Sequence, residues 1–366
     1  MSFAMRIERL RVDGFRNLRG IDLEPDPRAN LFVGANGQGK TSLLEAIDYV
    51  CTLRSFRGAL RAQLVGHDVK RADVRMRANG EPVGHEFHVT VQRSGREILL
   101  DGKRPERAVH YYGGAACVVF HPEDLELVRG GPEVRRRLLD RILLRVVDGY
   151  GEAMRSYTRA LRARNALLRD AQPDARAIAA FDPALARYGS FLVRERMSLT
   201  EELLPAAREA VADVALTDED IRLHYRTRAP READAYREDL AKQTPTDLVR
   251  KSTQLGPHAD DVAVTWGGRA ARIVASQGQT RALALALRLA ELEVLRTRSS
   301  RIPWLLLDDV SSELDRDRTQ RLFARVAALG AQLWVTTTDP AIGDLVPSAR
   351  RFRVRSGGLE NDVSGG

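Results

Sequence analysis

The chain has little cysteine, little lysine and no long apolar run, and each shortage narrows what it can be. Its two cysteines, Cys51 and Cys117, have the spacing of neither a metal site nor a disulfide framework, which fits a reducing cytosol. No stretch approaches the ~20 consecutive apolar residues that span a bilayer, so no membrane association is expected. The opening MSFAMRIERL lacks an apolar signal core, so no secretory peptide is expected, and Met5 is an alternative start. Internal repeats, low-complexity tracts and sustained heptads are absent, which excludes a long coiled coil. Lys40, Lys70, Lys103, Lys242 and Lys251 are the only lysines among 58 basic residues. Arginine therefore carries the net charge of +8 and the pI near 9.8. That excess suits a polyanionic partner such as nucleic acid, and suits equally an arginine-biased composition spread over solvated faces.

What is present begins with length. At 366 residues and 43% hydrophobic, the chain can form two domains, or one large domain with an insertion, around a proper core. Gly34 to Thr41 reads GANGQGKT and matches G-x-x-x-x-G-K-[ST], the phosphate-binding loop. Its glycines allow a tight turn that aims backbone N–H groups at phosphate oxygens. The candidate nucleotide-binding residues are Gly34, Ala35, Asn36, Gly37, Gln38, Gly39, Lys40, Thr41 and Ser42. Lys40 is placed to reach the β- and γ-phosphates, and the Thr41 hydroxyl to coordinate Mg²⁺. Leu31–Val33 reads as a buried strand before the loop, and Ser42–Ile47 opens a helix after it, whose N-terminal dipole favours the anion.

Around this loop, Arg6–Val12 and Gly20–Leu23 alternate as half-buried strands, with Phe15-Arg16-Asn17 at the turn between them. Val74–Ala78, Phe87–Val91 and Glu97–Leu100 form an antiparallel meander, and Val118–Phe120 is a further short strand. From Glu133 to about Leu168 the pattern is helical, broken near Gly149 and Gly151. A helix opening at Asp182-Pro183 runs past Met197, bending near Pro205. Ile221–Tyr225 reads as a strand, followed by two short helices around Ala235 and Leu248. Gly267-Gly268 marks a hairpin between Val262–Trp266 and Arg272–Ala275.

A second signal lies at IPWLLLDDVSSELD, residues 302–315. The apolar strand Trp304–Leu307 ends in two carboxylates. Asp308 is expected to hold Mg²⁺ through water, and Asp309 to polarise the attacking water as catalytic base, with Lys40 also counted as catalytic. A third signal is Ser276-Gln277-Gly278-Gln279, where Ser276 caps an apolar helix running from Ala282 to Leu295.

The order of these motifs resembles the ATP-binding-cassette ATPases, more narrowly their SMC-like branch and, within it, the RecF family. The stretches that carry the resemblance are LRVDGFRNLRGIDLEPDPRANLFVGANGQGKTSLLEAI, FHPEDLELVRGGPEVRRRLLD, GPHADD, SQGQTRALALALRLAE and LLLDDVSSELD, spread over nearly the whole chain. The fold it implies is α/β: an ABC-type P-loop ATPase head with an antiparallel β-meander and an inserted, mostly helical second lobe. Residues 1–120 and 301–366 would form the ATPase lobe, and 121–300 the helical lobe with the signature motif. The resemblance implies an ATP- and Mg²⁺-dependent homodimer. Ser276, Gln277, Gly278 and Gln279 of one subunit would meet the γ-phosphate of the other, with Ser312 and Asp315 (the D-loop) at the seam. It further implies a cytoplasmic, nucleoid-associated protein of recombinational repair and replication restart. It would bind double-stranded or gapped DNA and work with RecR and RecO-type mediators to load the recombinase. Its weak, DNA-stimulated ATPase would serve binding by resetting the clamp.

Two departures stand out. Asp309 occupies a position where transporter cassettes carry Glu, and LWVTTTD at 333–339 lacks their switch His, leaving Thr337, Thr338 or Asp339 to sense the γ-phosphate. The rival readings are a transporter ATPase subunit, a chromosome-structuring SMC protein and a small-molecule kinase. Arg16 and Arg57 are candidates for further contacts near the nucleotide. Arg155, Arg159 and Arg162, on one helical face, are candidates for DNA phosphates, beside Arg135, Arg136, Arg137, Arg141 and Arg164. The meander arginines Arg75, Arg77, Arg93 and Arg96 compete for that role.

Overall fold

The computed structural model describes residues 3–80, 84–106, 111, 114–215, 219–299, 301–309, 316–346 and 348–361. In chain order, strands β1 (Phe3–Ala4), β2 (Arg6–Asp13), β3 (Ile21–Leu23) and β4 (Ala29–Val33) lead into helix α1 (Lys40–Thr52). Strands β5 (Arg71–Asn79), β6 (His85–Gln92), β7 (Arg96–Leu100) and β8 (Cys117–Phe120) follow, then helices α2 (Pro132–Val146), α3 (Tyr150–Leu168) and α4 (Asp182–Ala215). Next come β9 (Ile221–Arg226), α5 (Ala233–Arg250), β10 (Asp261–Trp266), β11 (Arg269–Ala270) and α6 (Gln277–Ser299). The described elements end with β12 (Arg301–Ile302), β13 (Trp304–Leu307), α7 (Arg316–Leu329), β14 (Leu333–Thr337), β15 (Arg350–Arg355) and β16 (Gly358–Asn361).

These elements form two compact units. The first comprises Met1–Asp124, Glu209–Thr217 and Arg281–Gly366; the second comprises Leu125–Arg208 and Asp218–Thr280. Residues 121–124, 209–215 and 281–299, read from the sequence with the helical lobe, group with the first unit. There Arg288 of α6 forms a buried ion pair with Asp124, and Leu285, Leu289 and Leu292 are buried.

The first unit holds a six-stranded sheet in the order β16-β15-β4-β14-β13-β8. Five of its strands run parallel, and only β16 is antiparallel to its neighbour. Strands β8, β13 and β14 are buried at every position, as expected of parallel strands covered on both faces. The five-stranded antiparallel sheet, β3-β2-β5-β6-β7, instead alternates buried and exposed residues along β2 and β5. One apolar core joins the two sheets through α1, with Leu10, Met76 and Phe87 from the meander, Ile47 from the helix and Trp304 and Trp334 from the parallel sheet.

The second unit is mainly helical, with a small sheet ordered β11-β10-β9. Gly149, at φ 79°, separates α2 from α3, as the glycine pattern predicts. Two expectations change here. The two short helices around Ala235 and Leu248 are one helix, α5, that continues through Pro245. Tyr236, Leu240 and Asp247 are all fully buried along it, and this anchoring on both sides of the proline outweighs the lost N–H. The expected strand Arg272–Ala275 is instead a helical turn, Ala271–Val274, closed by Ala275 N–H donating to Ala271 O at 2.9 Å. Strand β10 finds its main partner in β9, over six residue pairs, and pairs with β11 over only two.

Candidate functional site

The phosphate-loop motif forms the connection from β4 to α1. Gly39 sits at φ 115°, open to glycine and strained for other residues. A Cβ on Gly34 would lie 2.5 Å from Val354 O, so the close approach of β15 requires glycine there. Helix α1 then starts at Lys40 with no side chain capping it, which leaves its first-turn N–H groups available to an anion. The loop is braced from outside. Asn17 Nδ2 donates to Gly37 O at 3.1 Å and its Oδ1 accepts the Ser42 hydroxyl at 2.9 Å. On the other side, Gln38 O accepts Gly357 N–H at 2.9 Å and Gln38 Oε1 accepts Ser356 N–H at 2.7 Å.

Lys40 is buried and donates to Gly34 O at 2.6 Å and Ala35 O at 2.9 Å, folding back over the loop. Burial holds its ammonium below the usual lysine value, against the pull of Asp309 and Asp308. Those carboxylates arrive from β13, two strands from β4 in the sheet with β14 between them. Asp308 Oδ1 accepts the Thr41 hydroxyl at 2.9 Å and the Thr336 hydroxyl at 2.7 Å, and Asp308 N–H donates to Phe120 O at 2.8 Å. Burial pushes the Asp308 carboxyl above the usual carboxylate range, opposed by the two hydroxyl donors. Asp309 follows at φ 52°, its N–H bonded to Thr336 Oγ1 at 3.0 Å. Residues 267 positions apart in sequence thus meet at the carboxyl ends of parallel strands, where open α/β sheets bind ligands.

The other sequence candidates fall into place differently. Ser276 caps α6 in a reciprocal box: its Oγ accepts Gln279 N–H at 3.2 Å, and Gln279 Oε1 accepts Ser276 N–H at 2.8 Å. Ser312 and Asp315 lie outside the described residues. Arg16 and Arg57 both turn to Glu45 on α1, Arg16 through two short bonds and Arg57 at 3.9 Å. Asp339 caps the turn after β14, accepting Ala341 N–H at 2.9 Å. Arg155, Arg159 and Arg162 are exposed on α3 and form no ion pair among the described residues. Arg164 and Arg135, counted with the basic surface from sequence, are buried instead. Arg164 is held by Asp182 and Asp247, and Arg135 by Asp261, because only a carboxylate partner makes a buried guanidinium affordable. Arg77 pairs with Glu8 in the meander. Sequence reasoning missed Asn17, Glu45 and Thr336 as parts of the site. A hint for Glu45 was an acidic residue inside the apolar stretch of α1; Thr336 gave none.

The RecF/RecN/SMC N terminal domain family matches residues 6–350. The DNA replication and repair protein RecF of Anaeromyxobacter sp. (strain Fw109-5) is 43% identical, over 96% of this chain and 98% of its own. The chain belongs to the RecF family. The RecF of Myxococcus xanthus is 40% identical over 94% of this chain and 93% of its own. Among solved structures, the recombination mediator protein RecF with ATPrS superposes with a TM-score of 0.90 at 30% identity, covering 99% of this chain and all of the other. The RecF–ATP structure follows at 0.88 and 29%, over 98% of each chain. The Smc head domain from Pyrococcus furiosus, at 15% identity and a TM-score of 0.56, covers 97% of this chain and 95% of its own and shares the fold. RecF and Smc heads thus bear out the α/β ATPase-head fold, and these relatives give the transporter reading no support. No described helix is long and apolar enough to cross a membrane.

Proposed function

We propose that the chain is an ATP-dependent DNA-binding protein of recombinational repair and replication restart, and that ATP closes a homodimer on DNA. The observation that carries this reading is the Thr41–Asp308 contact, which joins the phosphate loop to the carboxylate strand at the uncapped start of α1. Two similar solved structures, of the recombination mediator protein RecF of the RecFOR pathway with ATP or ATPrS, support it.

In this reading the N–H groups of residues 34–42 and the Lys40 ammonium bind the phosphates. Thr41 Oγ1 and Asp308 Oδ1, 2.9 Å apart, are hard oxygen donors of the kind Mg²⁺ takes. Such an ion would be shared with the substrate phosphates, as Mg²⁺ bound by one or two protein oxygens commonly is. Bound Mg²⁺ would neutralise charge developing on the transferred phosphoryl group. Asp309 would orient and deprotonate the attacking water. Ser276 to Gln279 would supply the partner subunit's γ-phosphate with a hydroxyl and helix N–H groups, with Ser312 and Asp315 at the seam. The first unit would act as the ATPase lobe and the second as carrier of the signature motif. The exposed stripe Arg155, Arg159 and Arg162 would track duplex phosphates. RecR and RecO-type mediators would be its partners, in the nucleoid, and slow hydrolysis would reset the clamp.

Sedimentation of the full chain with Mg²⁺-ATP and gapped duplex DNA tests this as a whole. The wild type should become dimeric and DNA-bound only with ATP, Lys40→Ala should stay monomeric, and Asp309→Asn should remain dimeric after the wild type has reverted. A wild type that stays monomeric with ATP and DNA would refute the clamp.

A further inference from the structure

One buried hydroxyl ties together the two adjacent carboxylate residues of the site. Thr336 lies on β14, the strand beside β13, and is fully buried. Its Oγ1 accepts Asp309 N–H at 3.0 Å, so the hydroxyl's own proton is left for Asp308 Oδ1, at 2.7 Å. Thr41 donates to that same oxygen, so Asp308 Oδ1 is pinned twice, once from helix α1 and once from strand β14. Asp309 meanwhile sits at φ 52°, which costs a non-glycine residue conformational energy and persists where the surroundings hold it. The bond to Thr336 is one such hold. The neighbouring Thr337 is engaged elsewhere along the chain, its Oγ1 accepting Asp339 N–H at 2.9 Å.

We infer that Thr336 is a positioning residue for nucleotide hydrolysis, fixing the rotation of the Asp308 carboxylate and the backbone of Asp309 in a single arrangement. This rests on the nucleotide reading above. Asp308 and Asp309 are consecutive, so their side chains leave the strand end in different directions. Their two tasks, holding the metal and polarising water, stay in register only if carboxylate and backbone are fixed relative to each other. A hydroxyl can do both at once because it accepts and donates; a methyl group can do neither. Hydrogen bonds that orient a metal-binding side chain typically matter ten- to a hundredfold when removed.

A pair of substitutions separates the hydroxyl from the methyl. Thr336→Val keeps the branched shape and removes the hydroxyl, whereas Thr336→Ser keeps the hydroxyl and removes the methyl. Steady-state hydrolysis would be measured with duplex DNA present. ATP affinity would be measured with a fluorescent analogue, in EDTA and across a Mg²⁺ titration, and melting temperatures would confirm folding. We expect Thr336→Val to lower kcat about tenfold or more, and to cut the Mg²⁺-dependent gain in affinity by a similar factor. Its ATP affinity in EDTA should stay within about twofold of wild type, and Thr336→Ser should recover most of both losses. A valine variant that matches wild type in kcat and Mg²⁺ dependence would overturn the inference. So would a serine variant as impaired as valine, since packing would then be the cause. If the wild type itself bound no ATP, the nucleotide reading would fall first, and the wild-type arm alone would reveal it.

Discussion

Arg16 and Glu45 form a two-armed ion pair behind the phosphate loop, Nε and Nη2 meeting the two carboxylate oxygens at 2.9 and 2.8 Å. Glu45 is completely buried on α1, and Arg16 reaches it from a turn held at φ 55°. The Ser55 hydroxyl and, at 3.9 Å, Arg57 approach the same carboxylate. Two arginines that looked free to meet nucleotide are thus directed at the helix that follows the loop.

Arg16→Ala should therefore act mainly on stability. Removing one partner of a buried pair costs about 3–5 kcal/mol in general, and Ser55 and Arg57 should reduce that here to about 2–3 kcal/mol. Denaturant unfolding of the nucleotide-free chain measures it. A loss below about 0.5 kcal/mol would mean that Arg57 takes over the pair.

Ser276→Asp should separate capping from the trans role. Aspartate caps as well as serine, so helix stability should change by no more than about 0.5 kcal/mol. The added negative charge would face the partner's γ-phosphate, so ATP should still bind each subunit while the dimer disappears from sedimentation. A variant that dimerises with ATP as the wild type does would remove Ser276 from the seam.

His258 gives the second unit a pH dependence. Its Nε2–H donates to Thr253 O at 2.9 Å, so Nδ1 is left to accept the Tyr157 hydroxyl at 2.6 Å. That is the neutral tautomer, and burial holds the imidazole below its usual value. The unfolded chain therefore binds this proton first as pH falls. The stability it contributes is present above pH ~6.5 and is lost as pH drops through the lower folded value. His258→Asn should flatten this part of a stability profile recorded between about pH 7 and 5. An equally steep profile in the variant would assign the slope to other groups.

Charge reversal of Arg155, Arg159 and Arg162 to Glu tests the helical stripe. Losing three phosphate contacts should weaken duplex binding and make the slope of log affinity against log salt shallower by about three. Folding without ATP should be unaffected, because all three side chains are exposed and outside any ion pair among the described residues. Unchanged affinity and slope would move the DNA surface elsewhere, with the meander arginines next to test.

What the sequence determined by itself was local. GANGQGKT specifies its own loop because glycine sterics and the start of α1 lie within a few residues. Period-two alternation in Arg6–Val12 and Val74–Ala78 marks a sheet with one buried face, and the unbroken apolar run Trp304–Leu307 marks a strand buried on both. Only the tertiary structure decided which charges are buried and what they touch. Arg155 and Arg164 lie on one helix of similar composition, yet the first is exposed and the second is held by Asp182 and Asp247, 18 and 83 residues away. Pro245 lies inside α5 because Tyr236 and Asp247 are buried on either side of it. Thr336 reaches Asp308 and Asp309 only once β14 lies beside β13. Backbone sterics and periodicity act over a few residues and are written in the local sequence. The pairing of a buried charge or hydroxyl depends on which distant strand or helix is packed against it, and that is settled only when the chain closes.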